Sequence, residues 1–249
     1  MSELFDVIWL NASPILTRFD RPLLQYLSKC MKVAQWEYHQ TKDEASSIDI
    51  AVELLYEFLE EYPHSLHLAG HGMGGAIALT FARRYPKKVR SLTLLAVAAQ
   101  PANNWHAHYY VQRQLFSISR EQVLAHSVRS LFGKQPPHTT KKLMAVLDKD
   151  LEQSPSPHSL FRLVNLPKSG VSMPMMVCGS KSDPVVNSLA LQDWQNWFKP
   201  EDRLWECPKG HHFFHYYYPQ QVGEQIISFW QHHHAQALTT SAMTSSAFT

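Results

Sequence analysis

Short apolar runs alternate along this chain with longer segments whose apolar positions recur every three or four residues. The runs at 5–10, 33–37, 66–70, 92–97, 175–178 and 203–206 are too short for helices and predict six strands. Between the second and third, Ile48, Ala51, Val52, Leu55, Phe58 and Leu59 form one stripe, with Glu53, Glu57, Glu60 and Glu61 facing outward. That pattern predicts an amphipathic helix, and Ser46 with Asp49 reads as its capping pair. Residues 75–85 carry a second helix, stopped by Pro86. Pro219 opens a last helix where a missing N–H is tolerated, with Val222, Ile226 and Phe229 at core-facing spacing. Strands and helices in alternation predict an α/β fold with a parallel sheet covered on both faces.

The alternation breaks between residues 99 and 167. Ser119 and Gln122 are spaced as a capping pair that opens a helix to about 132. A second helix is expected from about 140 to 152, and a third, short one over 155–163. The segment reads as a helical insertion between the fourth and fifth strands, dividing a core of 1–98 and 168–231. Residues 232–249, rich in Ala, Ser and Thr with no apolar period, predict a flexible tail.

A chain of 249 residues with 45% hydrophobic and 18% charged residues can bury a full core with one insertion. The formal net charge of +2 is too small to argue for nucleic acid. Its densest basic run, RRYPKK at 83–88, falls at a helix end, where cations complement the dipole. Cys30, Cys178 and Cys207 cannot form a complete disulfide set, and reduced packing residues are the expectation. No apolar stretch approaches the roughly 18 residues needed to cross a bilayer, and the first residues lack the pattern of a signal peptide. A cytoplasmic protein that is not integral to a membrane is expected.

Chemistry enters at HLAGHGMGGAIALTFARRYPKKVRSLTLL, residues 67–95. This stretch resembles the strand–elbow–helix of the α/β-hydrolases, where Gly-x-Ser-x-Gly places a nucleophilic serine on a sharp turn. Gly70, Gly74 and Gly75 keep the small residues of that turn, but Gly72 stands where the serine would be. The resemblance extends over nearly all of 5–230. It implies a mostly parallel six-stranded sheet of order 2-1-3-4-5-6, helices on both faces and a helical lid at 99–167.

The resemblance also implies site residues. A triad in this fold runs nucleophile, acid, histidine in chain order, which places the acid at Asp183 in MVCGSKSDPVV and the histidine at His212 in CPKGHHFFHYYYP. His211 is the close rival, and His215 is read as a supporting or core residue. Where the family has His-Gly after the first strand, this chain has Asn11-Ala12, followed by Ser13 and a Pro14 that has no N–H to donate. The other donor of an oxyanion hole, the amide of Met73, is kept. His71 either lines the pocket or packs under the elbow. Trp105 opens an aromatic run at 105–114 that lines a pocket or packs the insertion onto the sheet, as do Trp36, Tyr38 and His39. His211 and His215 stand four apart without an accompanying carboxylate or cysteine pattern, so no metal and no cofactor is expected.

Glycine has no side-chain oxygen or sulfur with which to attack. Three functions follow. The chain is a pseudo-hydrolase that binds a small, largely apolar ligand or a protein partner; or Asp183 and His212 activate water without a covalent step; or Gly72 replaces the serine of an ester hydrolase.

Overall fold

A computed structural model describes residues 5–39, 47–101, 103–154 and 167–246, with side chains through residue 233. Its strands are β1 (Val7–Asn11), β2 (Val33–Glu37), β3 (Leu66–His71), β4 (Val89–Leu95), β5 (Met175–Ser180) and β6 (Arg203–Cys207). Every neighbouring pair is parallel, in the order β2-β1-β3-β4-β5-β6 expected from the sequence. β1 and β5 are buried along their whole length, whereas β2 and β6 at the edges are half-exposed. Strands covered on both faces must be apolar on both, which is why they read as continuous runs.

The helices are α1 (Arg21–Leu27), α2 (Ile48–Glu60), α3 (Gly72–Arg84), α4 (Trp105–Leu115), α5 (Arg120–Phe132), α6 (Pro137–Gln153), α7 (Ser188–Gln192), α8 (Phe214–Tyr217) and α9 (Pro219–Ser246). Alternation along the strands divides the core. Ile8, Leu10, Leu68, Leu92 and Leu94 pack with α2 and α3 on one face. Val7, Trp9, Ala69, Leu95 and Met176 pack with α1 and α9 on the other. Helices α4, α5 and α6 lie in the chain between β4 and β5. Tyr109, Val123, Leu131, Phe132 and Leu147 from these helices cluster with Leu16 and Phe19 after β1 and Phe213 after β6. The rings of Phe132 and Phe213 stack at 4.7 Å and 7°. This contact seats the insertion over the carboxyl ends of the strands, where an open α/β sheet forms its crevice.

Several boundaries differ from the sequence reading. The cap of α2 is Ser47, whose hydroxyl accepts from the Ile50 amide at 3.4 Å; Ser46 lies outside the described residues. Phe58, expected in the core, is 37% exposed, beside Ile50 and Leu54 on the outer side of α2. β4 starts at Val89 because one turn over Pro86–Lys88 brings Val89 opposite Leu66. The Ser119–Gln122 capping box forms at the start of α5. α4 was not foreseen as a helix; the Asn104 side chain caps it by accepting from the Ala107 amide at 3.0 Å. The helix expected over 155–163 lies outside the described residues. α9 runs on to Ser246 through part of the segment expected to be a flexible tail, since no glycine or proline follows Gly223 and Ala, Gln, Leu and Met favour helix.

α3 and β1 approach each other backbone to backbone. A Cβ on Gly74 would lie 2.1 Å from the Leu10 carbonyl oxygen, and one on Gly75 would lie 2.6 Å from Val97 Cγ2. Leu10 meets Gly74 with backbone, which cannot rotate away. Gly74→Ala is therefore expected to destabilise by about 1–3 kcal/mol, read as a lower urea midpoint at unchanged m-value. An unshifted midpoint would show that α3 can move off β1.

Candidate functional site

β3 ends at His71 and α3 begins at Gly72, so the chain reverses within one residue. Gly72 makes that turn at φ +53°, in the left-handed region where glycine carries no Cβ penalty. A Cβ built there meets nothing within 4 Å. The position therefore points into open space, and a side chain would be limited only by backbone strain. Gly70 is different, because its Cβ would come within 2.7 Å of the Gly74 backbone.

Asp183 sits in the loop after β5. Its Oδ1 accepts the amides of Val185 (2.8 Å) and Val186 (3.2 Å), which fixes the carboxyl group as a turn-forming Asp. Oδ2 lies 2.8 Å from His212 Nδ1, and both side chains are almost fully buried. With Nδ1–H donated to Asp183, the other ring nitrogen of His212 is the one free to act as a base. Among the described residues no hydroxyl or thiol hydrogen-bonds that nitrogen. Cys178 and Cys207 are buried away from the cavity lining, and burial pushes the Cys178 thiol up.

His212 is held from behind. His71 Nε2 lies 3.1 Å from the His212 carbonyl oxygen, and its ring packs at 4.8 Å against His212 and at 4.5 Å against His215. His215 Nε2 pairs with Asp20 Oδ1 at 2.9 Å. Asp20 Oδ2 accepts from Trp9 Nε1 (3.0 Å) and Asn11 Nδ2 (3.1 Å). Burial raises the Asp20 carboxyl to about 6, against the neighbouring His71 and these two hydrogen bonds. Burial and the neighbouring His212 lower His215 to about 3. Burial, His215 and His212 also hold His71 well below the ordinary histidine value. Asp20, His71 and His215 are the group of possible metal ligands found among the described residues, their atoms within 4.8 Å of one another. The donors already on Asp20 suit a hydrogen-bonded network better than a coordination shell.

These elements line a partly open cavity of ≈ 50 Å³. His71, Gly72, Met73, Gly74 and His212 form its floor, and Asn11, Ala12, Ser13, Leu16 and Asp20 form one wall. Asn104, Trp105, His106, Asp150 and Ser154, from α4, α6 and the residues at their ends, form the other. The sequence-derived residues Asn11, Ala12, His71, Gly72, Met73, Trp105 and His212 thus meet around one space, with Asp183 behind His212. His211 is the exception. Gly210 at φ +111° and His211 at φ +53° turn its ring out of the cavity and onto Gly133. Trp36, Tyr38 and His39 do not line the cavity either, and Tyr38 packs in the core under α2. Asp20, Asp150 and Ser154 were missed, since each lies far in sequence from the motifs. His106 stood inside the aromatic run that supplied Trp105, and the one sequence signal for Asp150 is that it continues the apolar spacing of Leu143 and Leu147.

The buried imidazoles predict a pH dependence. An unfolded histidine takes a proton near 6.5, which buried neutral His71 and His215 resist. Their contribution to stability is complete above 6.5 and is lost as pH falls. Asp20, raised from 3.8 to about 6, works in the opposite direction and offsets His215 between those values. His71 is left uncompensated. The unfolding free energy should fall between pH 7 and 5 by up to about 1.4 kcal/mol per unit, and His71→Gln should flatten that slope. Equal slopes for the two proteins would contradict it.

Comparison with known proteins agrees with this architecture. Residues 38–225 match the model of the Alpha/beta hydrolase family. The chain is 68% identical over 245 residues to an uncharacterized protein of Nostoc sp. (strain PCC 7120), covering 98% of each. It is 39% identical over 235 residues to an uncharacterized protein of Synechocystis sp., covering 94% of each. A solved structure of a hydrolase from Pseudomonas aeruginosa superposes with a TM-score of 0.69 at 16% identity, over 92% of this chain and 91% of that one. No described helix is long and apolar enough to cross a membrane. With the elbow, the all-parallel sheet and the family match in place, this chain belongs to the alpha/beta hydrolase family.

Proposed function

We propose that the protein is a cytoplasmic pseudo-hydrolase that keeps the pocket of an ester hydrolase and uses it to bind a small, largely apolar ligand. The observation that carries this reading is Gly72, at the turn where the nucleophile would stand, with no hydroxyl or thiol bonded to His212 among the described residues. Loss of a hydrolase nucleophile costs on the order of 10⁶ in turnover. A parent enzyme at roughly 10 per second would fall to about 10⁻⁵ per second. The β1 loop supports the same reading. The Ser13 amide is taken by Asn11 Oδ1 at 2.6 Å, and Pro14 has none, which leaves few donors there for an oxyanion. In this reading α4, α5 and α6 are the lid, and Trp105 and Phe213 supply apolar wall.

A second reading has Asp183 and His212 activate water in the space above Gly72. The open volume at Gly72 beside an intact Asp–His pair favours it. General-base catalysis alone contributes about 10²–10⁴-fold, enough only for labile substrates.

Gly72→Ser separates these readings. The added side chain meets no obstruction, although a left-handed non-glycine residue costs about 1–3 kcal/mol. Hydrolysis of p-nitrophenyl butyrate should rise at least about 10³-fold over the natural chain, and His212→Ala in that background should abolish the gain. A natural chain already as fast as the variant would overturn the pseudo-hydrolase reading. Slow turnover in the natural chain that His212→Ala removes would select the water mechanism.

A further inference from the structure

A polar knot joins the two walls of the cavity. Asp150 on α6 is fully buried, yet it lines the cavity. Its Oδ1 accepts the hydroxyls of Ser13 and of Ser154 (2.6 Å), and its Oδ2 lies 2.9 Å from His106 Nε2. The two serine oxygens are themselves 3.0 Å apart. Three segments therefore converge on one carboxyl group: the β1 loop, α4 and the end of α6.

A buried carboxylate costs several kcal/mol unless it is paired, so a leucine at this position would hold α6 in place more simply. What the knot adds is a surface chemistry. Hydroxyls that donate to Asp150 turn their oxygen lone pairs elsewhere, and Ser13 and Ser154 both line the cavity. A second carboxyl group, Asp20, faces the same space. Among the described lining residues there is no lysine or arginine. Trp105 and Phe213 supply aromatic surface beside the knot, and aromatic faces accept cations. Asp20, Asp150, Ser13 and Ser154 each bring an acceptor oxygen to this space, and none of the described lining residues offers a fixed positive charge.

We infer that Ser13, Asp150, Ser154 and His106 form a recognition subsite for a ligand head that donates hydrogen bonds, a hydroxyl or a protonated amine on an apolar body, and that they exclude free carboxylates. The inference rests on the pocket being a ligand site, as proposed above. The ≈ 50 Å³ of this partly open cavity suits a head group, with the apolar body reaching outward, rather than a whole drug-sized ligand.

The test compares three probes with one apolar body, n-hexylamine, 1-hexanol and hexanoate, by calorimetric or ligand-observed titration of the full natural chain. Hexylamine or hexanol should bind at least about tenfold tighter than hexanoate, the winner naming the ammonium or the hydroxyl head. Asp150→Asn keeps the shape and should remove most of that preference. Ser154→Ala, a milder change, should reduce it in the same direction if Asp150→Asn does not fold. Hexanoate binding as well as the others, no binding of any probe, or a preference unchanged in every folded variant would each overturn the inference. Ester turnover by the natural chain would instead overturn the pseudo-hydrolase reading and leave the head-group preference standing.

Discussion

The site depends on the backbone of α3 lying against the backbone of β1. Gly74 meets the Leu10 carbonyl with no room for a side chain, and Gly70 meets Gly74 in the same way. That contact forces the turn after His71 into one residue and gives Gly72 its left-handed conformation. The turn is thus built by the neighbours of position 72 rather than by its side chain. Glycine is the residue that bears this conformation without strain. A serine here would add a hydroxyl at the cost of backbone strain, so a residue at this turn sets chemistry against stability.

The same economy does not extend to the rest of the pocket. Asp183–His212 and Asp20–His215 are buried pairs on either side of His71. Apolar residues of similar volume often stabilise a fold as well as buried ion pairs, or better. The chain instead satisfies both carboxyl groups, with backbone amides on Asp183 and with Trp9 and Asn11 on Asp20. Polar groups arranged this way around a small cavity preserve a specific shape and hydrogen-bonding pattern, which is what selective binding needs.

The sheet was legible because its central strands are buried on both faces and read as uninterrupted apolar runs. The elbow was legible because close backbone contact demands glycine at fixed spacing. Asp183 and His212 followed from their places after β5 and β6. His211 misled, because two consecutive positive φ angles reverse the ordinary alternation of side chains, and the residue names do not reveal that turn. Asp150 and Asp20 were hidden for another reason. Their roles come from packing the α4–α6 insertion and the β1 loop over the strand ends, contacts between residues as far apart as Ser13 and Asp150. α4 was obscured by aromatics, whose helical preference is weak and which here pack Tyr109 inward.

The central claim is that the site is assembled around His212 but, among the described residues, places no hydroxyl or thiol where that imidazole could activate it. Intact-mass spectrometry after incubation with a serine-directed fluorophosphonate tests it most directly. The natural chain should keep its unmodified mass, while Gly72→Ser should gain one phosphonyl group at residue 72. A stoichiometric adduct on the natural chain that mapped to a residue of the pocket would mean that the site contains a nucleophile other than residue 72.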